Sequence, residues 1–326
     1  MYVILAVIII SYGSLVKKFD EHHDARTYGE DWREVLLVEN QKILKKHEEV
    51  EEQLLAYDEK YGEKNQDEDG WDEQRFDIEM SAPDLEIVEE NNLYLEADVR
   101  PSGYGAWQFV AENAGMLIVV TLLTIVIAAG MIAHEFRWGT IKLLLIRPIS
   151  RTKILLSKYV TVLIFSLFTL LFLGLFAWMY GAILFGIEGT QANMIVESYQ
   201  ENGEMNREIV STFKEIFASY GYGFIEVMMM ATFAFMISAV FRNSALAVGA
   251  ALFLVFTGTT VTGILLAFDI KLAKYFLFTN MDLKQYAEGQ VLMEGTTLGF
   301  SISVLLIYYV IFMFISWFSF VKRDVV

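Results

Sequence analysis

Residues 114–133 read AGMLIVVTLLTIVIAAGMIA, twenty positions without a charged side chain. As a helix rising about 1.5 Å per residue, this run is about 30 Å long, the thickness of a bilayer's hydrocarbon core. A soluble helix buries one stripe and keeps its other face polar, but this run is apolar all round. Backbone groups cannot stay unpaired in lipid, so a run of this kind is a spanning helix. Residues 159–185, 222–241, 244–268 and 298–321 share its character. A sixth run, MYVILAVIIISYGSLV at residues 1–16, would reach only about 24 Å. It lacks the basic start and small-residue cleavage site of a secretory signal, and reads as a retained first span whose helix either extends toward Phe19 or has a truncated start, the second being favoured.

Charge divides the chain between two solvents. Of its 326 residues 55% are hydrophobic, yet residues 17–113 carry 28 Asp/Glu against 11 Lys/Arg. That segment's net charge of about −17 accounts for the −16 of the whole chain, so the remainder is nearly neutral. The acidity argues against a nucleic-acid partner, which needs a basic footprint. The chain has no cysteine, which excludes disulfides and thiolate metal sites.

Basic residues set the expected orientation. Residues 134–158 hold Arg137, Lys142, Arg147, Arg151, Lys153 and Lys158 against one acid, Glu135. Arg242 and the Lys322-Arg323 end fall on the same side, whereas 17–113 and 186–221 are acidic and 269–297 is balanced. The positive-inside rule then expects both termini in the cytoplasm. The expected fold is an all-α multi-pass protein of the cell membrane with six transmembrane helices. A large, acidic, largely helical extracytoplasmic insert separates the first two. The divisions are 1–16 for the first helix, 17–113 for the insert and 114–326 for the other five helices. In that last part, 134–158 is the cytoplasmic loop and 186–221 and 269–297 are extracytoplasmic loops.

Within the insert, residues 38–61 have the irregular three-to-four spacing of apolar residues expected of an amphipathic helix. Asn65-Gln-Asp67-Glu-Asp69-Gly70 begins like a calcium loop, but Asp72 and Phe76 stand where an apolar residue and a bidentate Glu are needed, so it reads as an acidic turn. His22 and His23, being adjacent, point apart and make a poor metal site. No metal, cofactor or catalytic residue is expected on this chain. It lacks G-x-x-x-x-G-K-S/T for ATP phosphates, H-E-x-x-H for zinc and G-x-S-x-G for a serine nucleophile.

The spans are almost free of ionisable groups. An ion-coupled carrier keeps carboxylates or histidines at mid-membrane to bind its coupling ion. Only Glu226 qualifies, about one turn inside the outer end of its run, where it either snorkels to the interface or lines a substrate path. A transporter without a coupling site draws its energy from elsewhere. In the fifth run, Ala247 and Ala251, and Thr259 and Gly263, are small residues one turn apart. They suit close helix packing, either within the chain or against a partner.

The basic loop carries the most specific signal. Pro148 ends one short helix and Ser150 is placed to cap the next; the same residues would also suit a surface helix held by anionic membrane lipid. The spacing of Glu135, Gly139, Thr140, Lys142, Leu144, Leu145, Pro148, Ser150, Arg151 and Lys158 resembles the E…GT-x-K-x-LL…P-x-SR…K loop of permeases of the second class of ABC exporters. Lys274, Tyr275, Asn280, Asp282, Leu283 and Tyr286 resemble the K-Y…N-x-D-L-x-x-Y stretch before the last span of such permeases, which in relatives forms short helices re-entering the outer leaflet.

The resemblance implies a permease subunit without its own enzymatic activity, paired with a second copy or homologue. Two ABC-type ATPase subunits would bind ATP and Mg beneath it, coupled through the loop that includes Glu135, Arg137 and Arg151. The basic amphipathic helix that usually precedes the first span of such permeases is missing, which agrees with a truncated start. The alternative is a receptor or scaffold that transports nothing and senses through the acidic insert.

Overall fold

The computed structural model describes residues 2–20, 28–61, 72–140, 148–187, 192–199, 205–241, 243–268, 270–289, 291–293 and 295–322. It is mostly helical, and five of its helical stretches are long and apolar enough to cross a membrane: Ala106–Arg137, Arg151–Phe185, Thr212–Val240, Ser244–Ala267 and Leu298–Val321. The charge-free run 114–133 is the middle of the first of these. That stretch comprises α5 (Ala106–Glu112), a 3-10 turn (Asn113–Met116) and α6 (Leu117–Arg137). The others are α7 (Arg151–Phe185), α8 (Thr212–Val240), α9 (Ser244–Ala267) and α11 (Leu298–Val321), with a short α10 (Gln285–Glu288) before the last. Helix α1 (Tyr2–Asp20) lies against α7, with Leu5 and Ile9 fully buried.

Contacts fix the directions of the helices. Leu117 of α6 meets Gly223 of α8, and fifteen residues further along each helix Ile132 meets Ser238, so α6 and α8 run parallel. Arg151 at the start of α7 reaches Val321 at the end of α11, so those two are antiparallel. Arg137 at the end of α6 likewise reaches Ser244 at the start of α9. All five stretches therefore bring one set of ends together around residues 134–158. Small fully buried residues line the centre: Ala128, Ala129 and Ala133 of α6, Ala231 and Ala234 of α8, and Ala247 and Ala251 of α9. Without apolar gain between helices in lipid, such residues favour association by letting backbones approach closely.

Several hydroxyls inside these helices are satisfied locally, although the buried hydroxyls of Thr124 and Thr212 have no partner among the described residues. Thr121, Thr169, Thr232 and Ser316 each donate to the carbonyl four residues earlier, and Tyr159 shares a 2.8 Å hydrogen bond with Thr232.

At the opposite end lies a polar helical unit of α2 (Trp32–Tyr61), α3 (Glu73–Met80) and α4 (Glu86–Ala97). Asn40 and Asn91 join α2 to α4 through a 2.9 Å hydrogen bond, and Leu36, Val50 and Val88 are buried there. The acidic turn at 65–70 and the His22-His23 pair lie outside the described residues.

One element departs from an all-helical chain. Strands β1 (Asn193–Tyr199) and β2 (Met205–Ser211) form an antiparallel hairpin. β-Branched Ile195 pairs with Ile209, and Glu197 faces Arg207, cross-strand pairings that favour a sheet. Arg207 also binds Glu86 and Glu89, which ties the hairpin to α4.

Half-buried Glu90 lies beside this cluster. Burial pushes its carboxyl above the ordinary value of 4.5, and Glu197 and Asp84 push it the same way. The folded state then holds this proton more tightly than the unfolded chain, so its contribution to stability is full below the ordinary value and lost as pH rises through the raised one. Glu90→Gln should leave protection at about pH 4 unchanged and increase it at about pH 7.5. Amide exchange of α4, with variant and parent compared at each pH, measures this; a variant less protected at the higher pH would refute it.

Candidate functional site

The basic loop is lashed to four helices. Helix α6 ends at Arg137, and two residues on stands Gly139, whose φ of 70° is the left-handed conformation favoured just past a helix end. Its amide donates to the Phe136 carbonyl at 3.2 Å. The Lys158 ammonium on α7 lies 2.6 Å from the Glu135 carboxylate, and Thr140 donates to the same carboxylate. Both partners are mostly shielded, at 16% and 22% exposed, so removing either would leave the other a shielded, unpaired charge, which costs more than losing a surface salt bridge.

Arg137 donates to Ser244 Oγ at 3.3 Å and Arg151 to the Val321 carbonyl at 3.2 Å. After Pro148, the Ser150 hydroxyl accepts from the Lys153 amide and caps α7. Further links were not signalled by any motif. Trp317 Nε1 donates to Thr152, Ser319 to the Ala239 carbonyl, and Ser238 Oγ accepts from the amides of Ile132 and Ala133. Glu135, Arg137 and Arg151 are thus engaged within the chain, whereas Trp138 is 68% and Ile149 48% exposed on the same loop. Lys142 lies outside the described residues.

The segment between α9 and α11 forms two 3-10 turns, Lys271–Tyr275 and Phe278–Asn280, and then α10. Asn280 is its hub. Its side-chain amide donates to the carbonyls of Lys274 and Phe276 at 2.8 Å each, and its Oδ1 accepts from Ser301 Oγ at 2.6 Å. Ser301 also shares a hydrogen bond with Tyr286 OH, and Tyr308 OH donates to the Tyr275 carbonyl. The segment therefore folds back on the bundle, with Leu277, Met281 and Leu283 buried.

A cavity of about 340 Å³ lies where this segment meets the starts of α6 and the middle of α8, and Glu226, Asp282, Lys284, Ser219 and Tyr222 face it. Helix α8 begins at Thr212, ten residues before the apolar run, so Glu226 is the central residue of a 29-residue helix whose first turn carries Lys214 and Glu215. Among the described residues its carboxylate has no hydrogen bond or ion pair. Lys284 is held by Glu215 at 2.9 Å and Glu288 at 2.8 Å. Burial lowers its pKa, but the two carboxylates outweigh that and hold its ammonium above the usual lysine range.

The small residues of α9 divide. Ala247 and Ala251 are fully buried within the bundle, and Thr259 and Gly263 are on its outer surface. Among the described residues no group of three or more metal-ligating side chains comes together.

These features define a multi-pass, mostly helical integral membrane protein. The chain belongs to the DUF2705 family, described as a protein of unknown function, whose model matches residues 86–326. It is similar to the uncharacterized protein YhcI of Bacillus subtilis (strain 168), 43% identical over 242 residues that cover 74% of this chain and 76% of that protein. It is also similar to the uncharacterized membrane protein YdbK of the same organism, 34% identical over 218 residues, or 67% of this chain and 82% of that protein. The family match starts at the first residue of α4 and takes in the whole of both sites.

Gly258 offers a test of the folded-back segment. A Cβ there would lie 2.1 Å from the Phe278 ring, and overpacking of this kind costs about 1–3 kcal/mol. In this cysteine-free chain, Thr279→Cys supplies a buried reporter. Adding Gly258→Val should speed its maleimide labelling by roughly 5–150-fold, the equivalent of that cost. Unchanged labelling would show that the segment does not pack on α9.

Proposed function

We propose that this chain is the permease subunit of an ATP-driven exporter. It has six spans when α1 is included, with both termini and residues 134–158 in the cytoplasm and α2–α4 and the β-hairpin outside. The distribution of basic residues supports that orientation. The source of energy follows from what the spans lack. A body with one candidate coupling carboxylate, Glu226, is poorly equipped to harvest an ion gradient, and the chain has no phosphate-binding loop of its own. The motor is then an ABC-type ATPase on separate chains, with ATP and Mg bound there, beneath this permease and a second copy or homologue.

The observation that carries this reading is the anchoring of the basic loop. The Glu135–Lys158 pair joins α6 to α7, Arg137 joins α6 to α9, and Arg151 joins α7 to α11. A push on exposed Trp138 or Ile149 would reach all of these helices together, as a coupling lever requires. In this role Glu135 and Arg151 transmit force, and Trp138 and Ile149 meet the ATPase.

The test uses the complex with its ATPase and one reporter cysteine, Tyr222→Cys, in the distant cavity. ATP with vanadate should change its maleimide labelling rate in the parent. Glu135→Ala or Arg151→Ala should abolish most of that change while the ATPase stays bound, and Trp138→Ala should weaken ATPase binding. A full nucleotide response in both Glu135→Ala and Arg151→Ala would refute the lever.

A further inference from the structure

We infer that the cavity around Glu226 binds the ammonium group of a cationic amphipathic ligand, with the apolar part lying along α6. Three observations lead there, beginning with space. A volume of about 340 Å³ in an open cleft bordered by α6, α8 and the folded-back segment is within the range of small-ligand sites.

The second is charge. Glu226 makes no hydrogen bond or ion pair among the described residues, and the Asp282 carboxylate accepts only the nearby Lys284 amide, at 3.0 Å. The one cation on the lining, Lys284, is already shared between Glu215 and Glu288. The two carboxylates on the lining, Glu226 and Asp282, are thus left without a cation of their own among the described residues. An anionic ligand is repelled, and a neutral one leaves unexplained a carboxylate at the centre of a spanning helix, a position that is costly to keep charged.

The third is the apolar part of the lining. Leu117 and Met281 border the carboxylates, and Ile118, also on the lining, is 64% exposed on the outer surface of α6. A ligand with its ammonium at Glu226 and Asp282 would lay an alkyl or aromatic tail beside these residues. A bare divalent cation fits less well. It needs six or more oxygens at close range, and no group of three or more acidic or histidine side chains converges here among the described residues.

The inference names a substrate class for the exporter and rests on that reading for transport, but the binding itself needs no motor. The test therefore uses the full chain alone in phosphatidylcholine nanodiscs, without ATPase or nucleotide, and radiolabelled dodecylamine, with empty discs as background. Saturable binding is expected in the parent. Glu226→Gln and Asp282→Asn should each weaken it about tenfold or more, which is about 1.4 kcal/mol. Lys284→Gln, which releases Glu215 and Glu288, should tighten it. Misfolding would weaken binding in all three variants, so the opposite sign for Lys284→Gln separates charge from damage. Dodecanol should show no saturable binding. The inference is overturned if the parent does not bind, if the variants match the parent, if Lys284→Gln also weakens binding, or if dodecanol binds equally well. Such a failure beside intact nucleotide coupling would leave the export reading standing; saturable binding by a chain that brings no ATPase with it from its native membrane would remove the export reading alone.

Discussion

The rest of the structure depends on how closely α6 and α8 approach. They run parallel over their whole shared length, from Leu117 against Gly223 at one end to the amides of Ile132 and Ala133 on Ser238 at the other. A Cβ on residue 223 would meet the Cδ1 tip of Leu117, so a larger residue there would make that side chain turn aside. Lipid offers no hydrogen bonds and no hydrophobic gain between helices, so close backbone contact and internally paired hydroxyls are what hold such a pair together. The other helices are arranged around it: α9 places Ala247 and Ala251 against it, and Tyr159 of α7 bonds to Thr232 of α8.

That pair also connects the two candidate sites. The basic loop continues directly from the end of α6, and the Glu226 cavity is built on the start of α6 and the middle of α8. A rotation or shift of α6 against α8 at one end alters the other, because packed cores switch between discrete arrangements more readily than they deform. In the exporter reading this is how work done on the loop reaches the ligand. The polar unit α2–α4 stands apart from the path but is fastened by Arg207 to the hairpin, which leads directly into α8. Binding to that unit thus has a mechanical route into the bundle.

The five long apolar helices were legible because runs of this length with at most one charge have no other stable home. Their ends were less legible, because the helices continue through polar residues once those find partners. Glu112 accepts hydrogen bonds from Tyr12 and Tyr104, so helix continues N-terminal of the apolar run. Thr212 to Gly221 likewise extend α8 and carry Glu226 to mid-helix. The hairpin was missed because its evidence is pairwise: Ile195 with Ile209 and Glu197 with Arg207 are neighbours only after the chain has turned. In the loop, the motif marked the right positions but not the direction of their side chains. Arg137 and Arg151 suggested a surface for a partner, yet they bond inward to Ser244 and Val321, and exposure falls on Trp138 and Ile149. The role of Lys284 became visible only when Glu215, distant in sequence, came within 2.9 Å.

The most direct measurement is of energy source. The tagged chain is purified from its native membrane, and vanadate-sensitive ATP hydrolysis is assayed in the eluate and again after reconstitution into vesicles. An ATP-driven permease brings with it a co-eluting chain that carries a phosphate-binding loop, and hydrolysis depends on that chain. A homogeneous preparation that moves solute down a proton or sodium gradient, with no nucleotide and no companion, would contradict ATP-driven export.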